Sequence, residues 1–445
     1  MAGSLSDFFA RHRFTPEGPD AGRLLAAFRR EMSAGLAGRP SSLQMIPAFV
    51  RADGRVPANT PVVVLDAGGT NLRVTTVSFG EDGAAKVAPF QKAPMPGTRG
   101  RLSATAFFEA LADAMMPVLR KAEKPAKGKL DVGFCFSYPA TITPGLDAVL
   151  LHWSKEVDAP AVIGKAIGAS LAKVLRKRGY DVRFIVLNDT VATLLSGKSA
   201  GKGKDYAGYV GFILGTGTNT AYVERVSKIG KLKDAGVAVD ADTMIVNVES
   251  GNFSKAPTSD FDDLFDATTK TAGVYRFEKM ISGGYLGGLG ETTLKLAARE
   301  GLFSAAGAAK IASLSNLPNM DLDNFAADPA NGGALAALGL SPADARLVAR
   351  IAKALYTRAA HLAAINIAAG ALASCNWRAA EKPVLVDIDG STYYLTRSVP
   401  FAKIVRKDLS AILGPKGVKV ELVNVDDAPI IGAAVAGLTC PPLPS

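Results

Sequence analysis

The chain predicts an α/β fold with mixed sheets. Three observations carry this reading: short β-branched runs alternate with alanine-rich helical segments, glycine-centred turns separate pairs of those runs, and 48% of the 445 residues are hydrophobic. That apolar content supplies a buried core and excludes a disordered chain or a disulfide-stapled miniprotein. The length fits about two or three domains at roughly 150 residues each.

Residues 1–58 read as helix-like, with Leu24, Leu25 and Phe28 at near-helical spacing, and end in a Gly/Pro/Asn-punctuated stretch around 53–61. A β-branched run at 61–65, a glycine-centred turn at 66–71 and a second strand at 72–79 follow. Residues 103–120 read as a helix. Strands are expected at 132–138 and 184–187, with a helix near 160–178 between them. Residues 209–224 repeat the plan of strand, glycine turn and strand. An alanine-rich helical region covers roughly 291–380, and Ser341-Pro342-Ala343-Asp344 within it has the form of a capped helix start. Strand signals return at 384–388 and 393–395.

A long-range repeat runs through these elements. Leu65-Asp66-Ala67-Gly68-Gly69-Thr70-Asn71 and Leu214-Gly215-Thr216-Gly217-Thr218-Asn219 each lie between two strands, and Asp387-Ile388-Asp389-Gly390-Ser391-Thr392 is a weaker third case. Glycine lets a backbone approach an anion closely, and threonine adds a hydroxyl donor, so two facing hairpins would hold a polyphosphate. Ordinary hairpin turns are the alternative. A Rossmann fingerprint is excluded, because Thr220 stands where its third glycine belongs and a strand follows the turn. Gly197-Lys198-Ser199 lacks the first glycine of a P-loop, which is Ala192 here.

Lys+Arg total 51 against 41 Asp+Glu, and the net charge of +10 favours anionic partners. No aromatic interleaving accompanies the basic loops, so nucleic-acid binding is not expected. Cys135, Cys375 and Cys440 are too scattered for a disulfide framework, and His12, His152 and His361 lack metal-ligand spacing. Cys135 reads as core within an apolar strand. The N-terminus meets charge within seven residues, and the uncharged run 359–377 reads as a buried helix, so the expectation is a soluble, cytoplasmic protein without a membrane span.

Three further segments carry chemistry. Asn188-Asp189-Thr190 puts an acid at a strand end, Trp153-Ser154-Lys155 offers a hydroxyl and a cation, and Glu249 and Glu278 add carboxylates. Taken singly, each carboxylate is more often a solvated surface group than a site residue.

Together the segments resemble the hexokinase family of the actin-like ATPase superfamily. The resemblance runs in order through 43–50, Leu65-Asp66-Ala67-Gly68-Gly69-Thr70-Asn71-Leu72-Arg73-Val74, Phe136-Ser137-Tyr138-Pro139, Asn188-Asp189-Thr190-Val191, Gly215-Thr216-Gly217-Thr218-Asn219, Phe277-Glu278-Lys279-Met280 and Asp389-Gly390-Ser391. It implies a two-lobed, ribonuclease H-like fold with sugar and nucleotide in the interlobe cleft. The expected small lobe is 60–189 with 427–445, and the large lobe 1–59 with 190–426. The implied reaction is ATP-dependent phosphorylation of a hexose at its 6-hydroxyl.

By the same resemblance Asp189 is the general base and Lys155 a cation near the transferred group. Ser137, Ser154, Lys155, Asn188, Asn219, Glu249 and Glu278 are sugar contacts. Asp66 holds Mg²⁺ through water. Gly68, Gly69, Thr70, Asn71, Arg73 and Thr216 line the phosphates, and Gly390 and Ser391 the adenosine. Three positions depart from the family: Ser154 replaces threonine, Glu249-Ser250-Gly251 replaces Glu-Trp-Gly, and Ala428-Pro429-Ile430-Ile431 replaces a Gly-Ser-Gly-Lys stretch. A sugar-sensing protein of this fold with weak or no turnover is the competing reading. A polymerising or chaperone-like ATPase would leave the sugar-type cluster unexplained.

Overall fold

Two sheets on a common plan organise the computed structural model, which describes residues 4–52, 54–68, 71–122, 129–153, 157–201, 204–234, 236–237, 239, 241–374 and 381–440. In chain order the strands are β1 (Ile46–Pro47), β2 (Val62–Ala67), β3 (Asn71–Phe79), β4 (Ala85–Val87), β5 (Gln91–Pro94), β6 (Leu130–Phe136), β7 (Ala140–Ile142), β8 (Ala148–Leu150) and β9 (Val182–Leu187). They continue as β10 (Gly208–Leu214), β11 (Thr218–Arg225), β12 (Thr243–Asn247), β13 (Val384–Asp389) and β14 (Val420–Val423).

The first sheet has the order β4-β3-β2-β6-β9, with β5 also on β3. The second has the order β1-β12-β11-β10-β13-β14, and β7 pairs with β8 apart from both. Without β1 and β5, each sheet is an antiparallel meander of three strands extended by two parallel ones. The repeated glycine turns occupy equivalent places, between β2 and β3 and between β10 and β11. All six residues of β2 are buried, as in a central strand covered on both faces.

Two helices cross between the sheets. Asp189–Ala200 leaves β9 of the first sheet yet packs on β10 and β13 of the second. Ala428–Thr439 leaves β14 of the second sheet and packs on β2 and β6 of the first. Both are buried over most of their length, which suits helices enclosed by sheets, and Ala428–Thr439 is apolar nearly all round. They meet where Gly432 passes the backbone of Ala192; a Cβ on Gly432 would lie 1.8 Å from the Ala192 carbonyl oxygen, so only glycine allows this crossing. One apolar cluster surrounds this helix pair, and two others lie on the outer faces of the sheets.

The helix Pro342–Ser374 starts where the capping signal predicts, with the Ser341 hydroxyl accepting from the Asp344 amide at 3.2 Å and donating to the Asp344 carboxylate at 2.7 Å. Two expectations need correction. Residues 393–395 are not a strand but part of the helix Ser391–Leu395. Gly390, at φ +118°, turns the chain, and the Thr392 and Tyr394 hydroxyls tie the segment to the carbonyls of Gly215 and Ile388, which outweighs local β propensity. Nor is 1–58 helical throughout: helices Leu5–Arg11 and Ala21–Leu36 give way to irregular chain and β1. Cys135 is fully buried core, as expected. Among the described residues no helix is long and apolar enough to cross a membrane. Cys375 and residues 376–377 of the uncharged run lie outside the described residues.

Candidate active site

Parallel strands present their carboxyl ends to a common side, where open α/β sheets collect their ligands. In the first sheet Ala67, Ser137 and Asn188 stand at or just beyond the ends of β2, β6 and β9, and the Ser137 amide donates to the Ala67 carbonyl at 3.3 Å. In the second sheet Leu214 and Asp389 end β10 and β13 side by side.

The β2–β3 turn is closed by the Gly68 amide donating to the Asn71 carbonyl at 3.1 Å, and the Tyr138 hydroxyl donates to the Gly68 carbonyl at 2.8 Å. Asn71 is exposed at its rim. Gly69 and Thr70 lie outside the described residues. Asp66 and Arg73 face each other in the β2–β3 register, and the Arg73 Nε donates to Asp66 Oδ2 at 2.9 Å. Arg73 also donates to Asp427 Oδ1 at 2.9 Å and lies over the Phe90 ring. Its guanidinium therefore joins the strand before the β2–β3 turn to the N-terminus of the last helix. Burial pushes the Asp66 carboxyl above its ordinary range, against the pull of Arg73.

The β10–β11 turn is held from two sides. The Gly283 and Gly284 amides donate to the carbonyls of Gly215 and Thr216 at 2.8 and 2.9 Å, and the Thr392 hydroxyl donates to Gly215 from the helix Ser391–Leu395. Thr216 is exposed at the turn, and Gly215 before it lies against Gly390 and Ser391. Glu278 accepts from the Thr218 amide at 2.8 Å. Its carboxylate fills the space beside Gly217, where an added Cβ would sit 2.6 Å from Oε2.

Asp189 begins its helix, and Asn188 caps it by accepting from the Thr190 amide at 2.8 Å. Asp189 Oδ1 accepts from that same amide at 2.8 Å, with the Thr190 hydroxyl at 3.3 Å. Its charge reaches carboxyls on both sheets: it contributes to raising Asp66, Glu249 and Asp389, each lifted chiefly by burial. Residue 189 is thus close enough to Asp66, just before the first glycine turn, and to Asp389, on the strand beside the second, for its charge to act on both.

Glu249 anchors a polar cluster beside it. Asn247 and Asn219 donate to Glu249 Oε1 at 2.8 and 3.2 Å, and Asn219 also donates to Asn247 at 2.8 Å. Asn188, Asn247 and Glu249 line a small cavity whose other walls, including Phe136 and Tyr138, are apolar. Glu249, Tyr275 and Asp427 all adopt left-handed backbone conformations, at φ +58°, +54° and +52°. Such conformations cost roughly 1–2 kcal/mol in non-glycine residues and gather at functional sites.

The structure therefore brings together Asp66, Gly68, Asn71, Arg73, Ser137, Asn188, Asp189, Thr216, Asn219, Glu249, Glu278, Gly390 and Ser391. Ser154 and Lys155 lie outside the described residues. Sequence reasoning passed over Asn247, Asp427 and Tyr275. Tyr275 lies close enough to Glu249 and Glu278 for their charges to raise its phenol, behind the main effect of burial, and it meets the His152 ring at 3.3 Å. Asn247 was readable, two residues before Glu249; Tyr275 gave no local signal.

Known proteins resemble this chain in sequence and in fold. Two family models, each described as hexokinase, cover residues 10–199 and 209–439. Hexokinase-1 of Oryza sativa subsp. japonica is 32% identical over 361 residues, 77% of this chain and 72% of that protein. Hexokinase-2 of Homo sapiens is 29% identical over 428 residues, 92% of this chain, which spans 45% of that longer protein. Among solved structures, the hexokinase from Schistosoma mansoni complexed with glucose superposes with a TM-score of 0.76 at 25% identity, covering 96% of this chain and 97% of that one.

Proposed function

The chain belongs to the hexokinase family, and from that premise we propose that it phosphorylates a hexose, glucose in the first instance, at the 6-hydroxyl with ATP as donor. The observation that carries this reading is the position of Asp189, whose charge acts on Asp66 before the first glycine turn, on Asp389 beside the second, and on Glu249 of the Asn219–Asn247–Glu249 cluster.

Asp189 takes the proton of the sugar hydroxyl as that oxygen attacks the γ-phosphorus. The bond from the γ-phosphorus to the β–γ bridging oxygen breaks, and ADP leaves. Phosphoryl transfer asks the protein chiefly for positioning and electrostatic stabilisation. Asn188, Asn219, Glu249 and Glu278, with Ser137, Ser154 and Lys155, hold the uncharged sugar through its hydroxyls. A site of that kind rejects analogues that lack a hydroxyl, because its own polar groups are left unpaired. Gly68, Gly69, Thr70, Asn71 and Thr216 receive the phosphates, Arg73 braces the first turn, and Gly390 and Ser391 border the adenosine. Ala428, Ile430 and Ile431 are buried in the last helix, so that segment serves packing.

Asp66 would hold Mg²⁺ through water. The fit is chemical: a hard-oxygen carboxylate, raised by burial and facing Asp189, suits a cation that keeps its waters and the donor's phosphates as ligands. Bound there, the ion supplies charge neutralisation at the phosphates.

The lobes of this reading are 60–189 with 427–445, and 1–59 with 190–426, and the protein acts in the cytoplasm without nucleic-acid or membrane partners. The exchanged helices Asp189–Ala200 and Ala428–Thr439 support a hinge between such lobes. ADP release measured over glucose, mannose, fructose and glucosamine with several phosphoryl donors tests the function. Hexose-dependent ADP release is expected; release that is absent or indifferent to sugar overturns it.

A further inference from the structure

Behind Glu249, where the family's tryptophan is replaced by Ser250, three side chains close a ring of hydrogen bonds. Asn366 of the helix Pro342–Ser374 donates from Nδ2 to the Ser250 oxygen at 3.0 Å. The Thr220 hydroxyl donates to Asn366 Oδ1 at 2.8 Å. Ser250 and Thr220 are 3.3 Å apart, and since the Thr220 proton is committed to Asn366, Ser250 is the donor of that pair. All three are buried, at 0%, 0% and 1% exposure. A closed ring leaves no polar group unpaired in a dry interior, and each bond strengthens the next.

The ring's position gives it a role. Ser250 follows Glu249 in the chain, and Thr220 follows Asn219. Asn219 Oδ1 accepts from both of their amides, at 2.7 Å from Thr220 and 3.2 Å from Ser250. Locking residues 220 and 250 together therefore fixes the spacing of the two side chains immediately before them. Glu249 in particular sits in a left-handed conformation that an unanchored glutamate would leave.

We propose that Asn366 is a positioning residue for hexose recognition, acting through Ser250 and Thr220 to hold Glu249 and Asn219 in their sugar-binding arrangement. The proposal rests on the reading that Glu249 is a hexose ligand. It makes the serine at position 250 one part of a polar support that replaces an aromatic one.

Steady-state kinetics on Asn366→Leu, Ser250→Ala and Glu249→Ala test it, alone and in combination. Asn366→Leu leaves two buried hydroxyls short of a partner, and a hexose KM raised about tenfold is expected, with the KM for ATP changed less than about twofold. Ser250→Ala is the milder variant and carries the test if Asn366→Leu fails to fold. Added to Glu249→Ala, Asn366→Leu should raise the hexose KM by less than about threefold, because the ligand it positions is gone. A full tenfold increase in that background overturns the proposal. So does a hexose KM unchanged in both Asn366→Leu and Ser250→Ala while Glu249→Ala raises it. An unchanged hexose KM in Glu249→Ala instead removes the premise that Glu249 binds sugar, and the proposal with it.

Discussion

Replacing Asp189 with alanine isolates the chemical step from the architecture around it. Asp189 Oδ1 is occupied by the amide and hydroxyl of Thr190, while Oδ2 has no hydrogen-bond partner among the described residues and is the atom that takes the proton in the proposed reaction. Loss of a positioned base lowers turnover by about 10²–10⁴, or about 3–5 kcal/mol of transition-state stabilisation. The fold should survive. Asn188 still caps the Thr190 amide at 2.8 Å, and losing one acid from a helix N-terminus costs about 0.3–1 kcal/mol. The variant also removes one of the charges that lift Glu249, so the Glu249 carboxyl should move down toward its ordinary range and hexose affinity should shift its pH dependence in the same direction. Coupled ADP release gives turnover, calorimetric titration gives hexose affinity across pH, and thermal unfolding checks integrity. Turnover within about tenfold of the parent in a folded variant would refute the base assignment.

Three other outcomes are expected. Glu249→Ala raises the hexose KM, with turnover reduced as well; a KM unchanged for every hexose tested counts against its role. Asp387, fully buried beneath the helix that carries Asp189, has its carboxyl pushed by burial from 3.8 up to about 7, with the Ser196 hydroxyl bond at 2.6 Å opposing the rise. The folded state therefore keeps a proton that the unfolded chain releases: this contribution to stability is complete below about pH 4 and is lost as pH rises through about 7. A rise of that size corresponds to on the order of 4 kcal/mol, so Asp387→Asn should flatten the parent's decline in stability across that window, measured by denaturant unfolding. Saturating glucose should reduce the radius of gyration by lobe closure, and identical scattering curves with and without sugar would contradict the hinge.

Much of this architecture can be read from the chain because its signals are local. The β-branched and aromatic runs flanking Gly68 and Gly217 carry their own strand signal, and Ser341-Pro342-Ala343-Asp344 caps its helix with its own side chains. Asp189 is recognisable because a strand end is a favoured place for a site acid. What stays hidden depends on partners far away in sequence. Residues 393–395 look like a strand, yet Thr392 is held by Gly215, 177 residues earlier. Tyr275 enters the site through its left-handed backbone and through His152, 123 residues distant. Asn366 lies in an alanine-rich helix where nothing nearby marks it, and only the third dimension sets it against Thr220 and Ser250.

The duplicated sheet plan explains why the acids converge. Each half ends its parallel strands toward the other, so Asp66 and Asp189 from the first sheet meet Asp389 and Glu249 from the second, although the chain as a whole carries +10. Burial above all, with the charge of Asp189 behind it, raises Asp66, Glu249 and Asp389, so ionising all of these acids together is unfavourable. Arg73 relieves one corner of it, through Asp66 and Asp427. A neutral sugar offers hydroxyl donors to the rest, while a bare triphosphate meets repulsion from the same groups. The electrostatics of the cleft thus suit a polyol beside Asp189 and a phosphate donor whose charge is already partly neutralised, the pairing that the proposed reaction requires.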